Sequence, residues 1–500
     1  MTSDARSALR DAIDDQRERL RATLPADRRG LVVALLAEQD ALAAAPPAPG
    51  PLDVVTGGPM PDLGVAAALA LGLADAPVPN VDAPFAADRD AARTLLASCR
   101  DLAAAEMVLA HAETGFMALA VGPDGDLEAW VASRFAPAVW RERAEVAWLN
   151  ERDAAAEPFA HQFPYPPEAG VGDATAATHR AALAALQGLP SAGAAGRVVP
   201  EPKVVAMLAA RLGLDPAAAR QVLDGFVLDA ANAAAHAAPP GAPAAPLVRL
   251  DGERLAWSRH GLGGWPLLFL ARELRRRDPA AYHNAAAARE AVFREALLGR
   301  FAGPRFVRAP GRIALRQAGG DLGTDVDAVL FDRRAGVLAT FELKSHDPFA
   351  ESAAALLRQR DATLQANRQV ARTMAWLQRN GGDALLARML PTAREGSRAS
   401  VRVAKVLPFV LGRYLVAFDD GPPRDPRAAW GTWPELLRLL DGPADPASRS
   451  PLASLFAGLR RAAPPLRLDG APPREIGLGP ERLTVFPGAA AARAAGLSRR

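Results

Sequence analysis

Apolar residues along this chain change their spacing past the Pro/Ala stretch at 237–246. Before it they recur mostly every three to four residues, the period of helices packed along one stripe. Leu9, Ile13 and Leu20 set one such stripe and positions 31–42 another, so residues 1–45 read as an N-terminal helical segment. The Pro/Ala/Gly run at 45–51 reads as a linker. Residues 54–236 then read as a mainly helical domain, broken by prolines at 77–84. Within it, 115–130 has a second reading, a hairpin turning at Pro123-Asp124-Gly125. At 203–228 the spacing predicts a helix, a tight turn at Gly213-Leu214, an N-cap at Asp215 with Pro216 in the first helical position, and a second helix. That layout is similar to a helix-turn-helix, although Arg220 and Gln221 among alanines give its outer face little with which to read bases. The Pro/Ala stretch at 237–246 marks the expected domain boundary.

Beyond it, 247–257 suggests two small strands around Asp251-Gly252, and 265–277 a helix ending in Arg275-Arg276-Arg277, a basic run that could touch phosphates. A helix is expected over 285–301, with Glu290, Phe293, Leu297 and Phe301 on one stripe and Glu295 on the solvated side. From there short β-branched runs take over. A strand at 305–316, interrupted or preceded by a turn at Pro310-Gly311, precedes the stretch 323–347, GTDVDAVLFDRRAGVLATFELKSHD, which reads as two strands joined by the turn 332–336. Side chains alternate along a strand, so Asp325 and Asp327 share one face, and Glu342 and Lys344 share one face of the neighbour. Charges gathered in an otherwise apolar hairpin are expensive to bury unless paired or holding a cation. A long helix follows over 351–380, with Arg358, Gln365, Gln369 and Arg372 opposite its apolar arc, then strands over 401–418. The α/β part is thus expected over 247–440, and 441–500 as an irregular Pro-rich tail.

An acidic residue closing one strand and Glu-x-Lys on the next resemble the PD-(D/E)xK nuclease superfamily, the restriction-endonuclease-like fold. The matching residues are Asp327, Glu342 and Lys344, and the order helix, three strands, helix, strand over about 285–420 is similar to that fold's αβββαβ core with a mixed sheet. Lysine itself sharpens the match. Only Lys203, Lys344 and Lys405 occur among 59 Lys and Arg residues, and a compact ammonium differs chemically from the planar guanidinium used elsewhere. The resemblance implies Mg²⁺, or Mn²⁺ in its place, held by Asp327, Glu342 and the backbone carbonyl of Leu343. Lys344 would act at the attacking water, and Glu290 would be a further acidic group brought by the preceding helix. Asp325 would support the metal or pair with an arginine, and Arg358, Gln365, Gln369 and Arg372 would reach the substrate backbone. DNA is the usual substrate so implied, with RNA admitted. Restriction, repair and defence are the usual settings.

Composition narrows the classes. Half the residues are hydrophobic and 23% are charged, which marks a globular chain. A net charge of +3 is too small to signal nucleic acid by itself, so any basic surface must be local. The single cysteine, Cys99, excludes an internal disulfide and fits a reducing cytoplasm; one cysteine and seven scattered histidines disfavour zinc. The charged N-terminal helix carries no apolar signal region, and the apolar run at 63–74 is too short to span a bilayer. Partner proteins and oligomeric state stay open. Two other classes remain: a nucleic-acid-binding protein of the same fold that does not cleave, and a helical interaction scaffold.

Overall fold

The computed structural model describes residues 2–24, 28–44, 65–66, 68, 89–115, 117–122, 124–131, 136–153, 155, 159, 161–189, 198–238, 243–316, 322–346, 353–389, 402–414, 424–442, 450–461 and 472–487. The expected linker at 45–51 and the proline break at 77–84 lie outside them. The protein is mixed α/β, helical through most of its N-terminal half, with several mixed sheets. No helix among the described residues is long and apolar enough to cross a membrane.

Three helices, Thr2–Thr23, Arg28–Ala44 and Arg89–Glu113, pack on a four-stranded sheet. Leu9, Ile13, Leu35, Leu96 and Val108 form its core. Half of that sheet is the antiparallel pair Met117–Val121 and Leu127–Val131, the hairpin reading of 115–130. The other half comes from the far end of the chain: Glu481–Phe486 runs parallel to Leu127–Val131 and pairs with Arg474–Leu478. The expectation of an irregular 441–500 is therefore corrected. Ile476, Leu478, Leu483 and Val485 alternate inward and are fully buried, and Gly479 turns the chain at φ +74. The two short strands pair with each other, but the strand that completes their sheet lies about 350 residues earlier in the chain.

A second body is built from the helices between 176 and 284 and a four-stranded sheet, ordered Val198–Pro200, Arg254–Trp257, Leu247–Arg249, Val227–Leu228. This sheet spans the expected boundary at 237–246: Val227 and Leu228 pair in parallel with Leu247 and Val248. The division belongs nearer residue 285, and 247–257 goes with the residues before it. A Pro/Ala composition marks a loop, but a loop inside one sheet and a linker between domains look the same in sequence.

The helix pair within this body keeps its expected capping. Gly213 ends Glu201–Leu212 at φ +65, and Asp215 Oδ1 accepts from the Ala217 and Ala218 N–H groups to open Pro216–Asp224. The second helix stops at Asp224 rather than near 228, because Val227 and Leu228 are drawn into the sheet. Two of its charged residues, Arg220 and Asp224, are engaged with their own body. Arg220 pairs with the buried Glu201 at 3.1 Å, and Arg249 clamps Glu201, Asp224 and Asp229. Two members of the basic run, Arg276 and Arg277, likewise clasp the buried Glu273, which also binds His236.

The C-terminal core is the third body. In chain order its elements are α1 (Ala286–Gly299), β1 (Phe306–Arg308), β2 (Ile313–Arg316), β3 (Leu322–Val326), β4 (Ala328–Asp332), β5 (Val337–Lys344), α2 (Ala353–Asn380), α3 (Gly382–Met389), β6 (Lys405–Gly412), β7 (Ala429–Thr432), α4 (Trp433–Asp441) and α5 (Pro451–Arg460). Five strands form one mixed sheet in the order β7-β6-β5-β4-β1. β4 is antiparallel to β1 and β5, while β6 and β7 run parallel to β5 and its neighbour. β2 and β3 form a separate antiparallel pair. Helices cover both sheet faces, so β5 is apolar almost throughout and buried from Val337 to Leu343. One face packs Phe341, Leu343, Phe409 and Leu411 against Phe293 and Leu297 of α1 and Leu455 of α5. The other packs Val329, Phe331 and Leu338 against Trp376 of α2 and Leu385 and Leu386 of α3.

The turn between β4 and β5 requires a glycine. Gly336 sits at φ +64, where a side chain is strained, and a Cβ there would lie 3.1 Å from both Ala404 Cβ and the Arg402 carbonyl oxygen. Gly336→Ala is expected to destabilise the protein by about 1–3 kcal/mol. Chemical denaturation of the two proteins side by side measures this directly.

Candidate active site

The site forms where β3 gives way to β4. The expected single strand 325–331 is broken at Asp327: the chain leaves the β2–β3 pair at Val326 and joins the main sheet at Ala328, with Asp327 at the bend. Ala328 lies opposite Phe341, so one step further along the same register Asp327 faces Glu342. The Leu343 N–H donates to Asp327 Oδ2 at 2.8 Å and fixes that carboxylate against β5.

Glu342 is 7% exposed and Lys344 follows it on the same strand face. Lys344 Nζ donates to Glu342 Oε1 at 2.7 Å and to Gln369 Oε1 of α2 at 3.0 Å. Both carboxyls are held above their ordinary range. For Glu342 burial is the main cause and the charge of Asp327 the next; against the pull of Lys344 these raise it to about 7. For Asp327 burial again dominates, and Glu290 and Asp325 add to it, against the Leu343 N–H and the Lys344 ammonium. Two carboxylates and one ammonium thus share a pocket poor in water, an arrangement relieved by a bound cation.

The other expected residues divide. Gln369 is brought to Lys344, while Gln365, Arg358 and Arg372 are solvent-exposed along α2. Asp325 forms an ion pair with Arg312 at 2.8 Å, one of its two expected roles. Glu290 departs from expectation: Phe293, Leu297 and Phe301 are buried as a stripe, but Glu290 is exposed at its margin, still near enough to act on Asp327. It lies one turn nearer the start of α1 than Phe293, where the stripe runs out. Glu295 is on the solvated side. Of the loop after Lys344, Ser345 and His346 are described and 347–348 lie outside the described residues.

Two neighbours of the site carry no signal in the sequence. Arg289, 6% exposed, lies over the rings of Tyr165 and Tyr282 of the second body, and its charge and that of Lys344 both act on His346. Only the packing of the second body against α1 brings them there.

Two free oxygens define what the carboxylates can hold. Asp327 Oδ1 and Glu342 Oε2 have no hydrogen-bond donor among the described residues, since Leu343 and Lys344 occupy the other oxygens. No group of three or more His, Cys, Asp or Glu side chains with metal-holding geometry occurs among the described residues. Hard carboxylate oxygens suit Mg²⁺, whereas zinc favours nitrogen and sulfur donors that the site lacks. No family model, curated protein or solved structure matches this chain.

Proposed function

We propose that the protein is a metal-dependent nuclease of the PD-(D/E)xK type, hydrolysing phosphodiester bonds of DNA in the cytoplasm. One observation carries this reading: Asp327, Glu342 and Lys344 converge on the end of one hairpin, with the lysine bonded to one carboxylate and drawn by the other. The strand order supports it in part: after α1 the main sheet takes β1, β4 and β5 in antiparallel order, with the separate β2–β3 pair inserted between β1 and β4, and β6 returns parallel to β5 after α2 and α3.

Asp327 Oδ1 and Glu342 Oε2 would hold Mg²⁺, with the Leu343 carbonyl as a further oxygen donor. The ion supplies a more acidic water and offsets charge on the phosphate. The remaining work falls to the chain. The Leu343 N–H keeps Asp327 turned toward β5, and Gln369 keeps Lys344 from swinging into solvent. Lys344 has three ammonium protons; two meet Glu342 and Gln369, and the third is available to the attacking water or to a phosphate oxygen.

Because Glu342 is held near pH 7 without a cation, Mg²⁺ must displace a proton at lower pH. Mg²⁺ affinity should therefore fall about tenfold for each pH unit below 7 and stay level above it. Calorimetric titration at pH 6, 7 and 8 checks the sign. Incubation with plasmid, linear and single-stranded DNA and with RNA, in Mg²⁺ or in EDTA, tests the function itself. Cutting in Mg²⁺ alone supports it. Salt-sensitive DNA binding without cutting would instead mean a binding protein of the same architecture.

A further inference from the structure

Ser345 Oγ, His346 Nε2 and Arg413 Nη1 are buried and have no hydrogen-bond partner among the described residues. Native proteins leave few such atoms, so the neighbouring pair Ser345 and Arg413, with His346 next in the chain, calls for a common partner. Their closeness follows from the sheet. The register that pairs Lys344 with Gly412 places Ser345 beside Arg413 one step on, and the Arg413 N–H donates to the Lys344 carbonyl at 2.8 Å. Strand alternation sets Ser345 and Arg413 on the face of Leu343 and Leu411, just across the strand ends from Glu342 and Lys344.

The surroundings are cationic. Arg413 is 5% exposed, and its guanidinium lies 5.7 Å from the Phe293 ring. One turn earlier on α1, Arg289 stands 5.5 Å over Tyr165 and 5.7 Å over Tyr282. Both guanidiniums act on the Tyr414 hydroxyl, and Glu142 acts on it in the opposite sense. Burial, with Lys344 and Arg289 adding to it, holds His346 down to about 4 and leaves it a neutral hydrogen-bonding group at pH 7. Donors gathered at the C-terminal ends of parallel strands, backed by arginine, are the means by which proteins hold phosphate.

We propose that Ser345, His346, Arg413 and Arg289 form a phosphate-monoester subsite beside the cleavage site. The occupant is the terminal phosphate of a nucleic-acid strand or a free phosphate; its identity as substrate rests on the nuclease reading, whereas anion binding there does not. Tyr165 and Tyr282 of the second body lie under the Arg289 guanidinium and brace it.

Binding is measured in EDTA, by anisotropy, with oligonucleotides ending in 5′-phosphate, 3′-phosphate or hydroxyl only. In parallel, melting is followed in inorganic phosphate and in chloride of equal ionic strength. One phosphorylated end should bind at least about tenfold more tightly than the hydroxyl end. Arg413→Lys, which keeps the charge but loses the planar fork, and Ser345→Ala should each reduce that preference while melting like the wild type. A phosphate-dependent rise in melting temperature without end preference assigns the subsite to free phosphate. Neither effect in the wild type, or effects unchanged in both variants, overturns the proposal. Cutting in Mg²⁺ without either effect would sink the subsite and leave the nuclease; end preference without cutting would do the reverse.

Discussion

Replacing Lys344 with arginine is expected to lower Mg²⁺-dependent cleavage on the order of a hundredfold while leaving folding and DNA binding near wild type. The ammonium is confined: Nζ lies 2.7 Å from Glu342 Oε1 and 3.0 Å from Gln369 Oε1, with 14% of the side chain exposed. A guanidinium keeps the charge but is broad, planar and farther from its Cα, so it cannot occupy that point. Were Lys344 only a surface partner for Glu342, the exchange would cost about 0–1 kcal/mol of stability and nothing in rate. Single-turnover cleavage with matched melting curves separates the two. Wild-type rates in Lys344→Arg would remove the lysine from the mechanism.

Asp332→Ala should be the most damaging change to the fold away from the site. Asp332 closes β4 and is 0% exposed. Its carboxylate accepts two bonds from Arg305 at 2.9 and 2.7 Å, one from Ser450 at 3.0 Å, and two from the Arg334 and Ala335 N–H groups. It thereby ties the β4–β5 turn to α5. Removing one partner of a buried charged network costs about 3–5 kcal/mol, the lower end applying here because Arg305 reaches water. The sign with pH follows. Although burial opposes it, hydrogen bonding from Arg305 and Ser450 holds the Asp332 carboxyl below the usual 3.8, so its contribution is present above that value and is lost as pH falls below it. Asp332→Ala should lose that part of the acid dependence. Urea denaturation at pH 3 and pH 7 measures both effects; a loss under about 1 kcal/mol at pH 7 would show the network to be dispensable.

The site was legible because its chemistry is local. Asp327, Glu342 and Lys344 lie within one hairpin whose turn residues, alternation and β-branched runs are visible in the sequence, and the structure brings them together. Gln369 was legible through helical periodicity, but periodicity could not separate it from Arg358, Gln365 and Arg372, because which polar residue of α2 meets β5 depends on how the helix crosses the sheet. The bend at Asp327 was hidden too, since one strand and two strands sharing a corner have the same alternation. Arg289 gave no signal, because contact with a separate body places it, and the role of His346 and Arg413 was hidden because they lie just past the ends of β5 and β6, whose pairing the sequence does not state. The same limit hid the strands at 474–486, whose alternation is clear only beside Leu127–Val131, and the sheet joining 227–228 to 247–249.

The most direct measurement compares wild type and Glu342→Ala on one linear duplex, in Mg²⁺ and in EDTA, with DNA affinity and melting temperature recorded for both. The wild type should cut in Mg²⁺ and stop in EDTA. Glu342→Ala should bind DNA and melt at or above the wild-type temperature, because it removes a buried carboxyl held near Asp327 at some cost, yet cut at least about a thousandfold more slowly. Equal cleavage by the two proteins, or cleavage by the wild type that persists in EDTA, would contradict the assignment of this site.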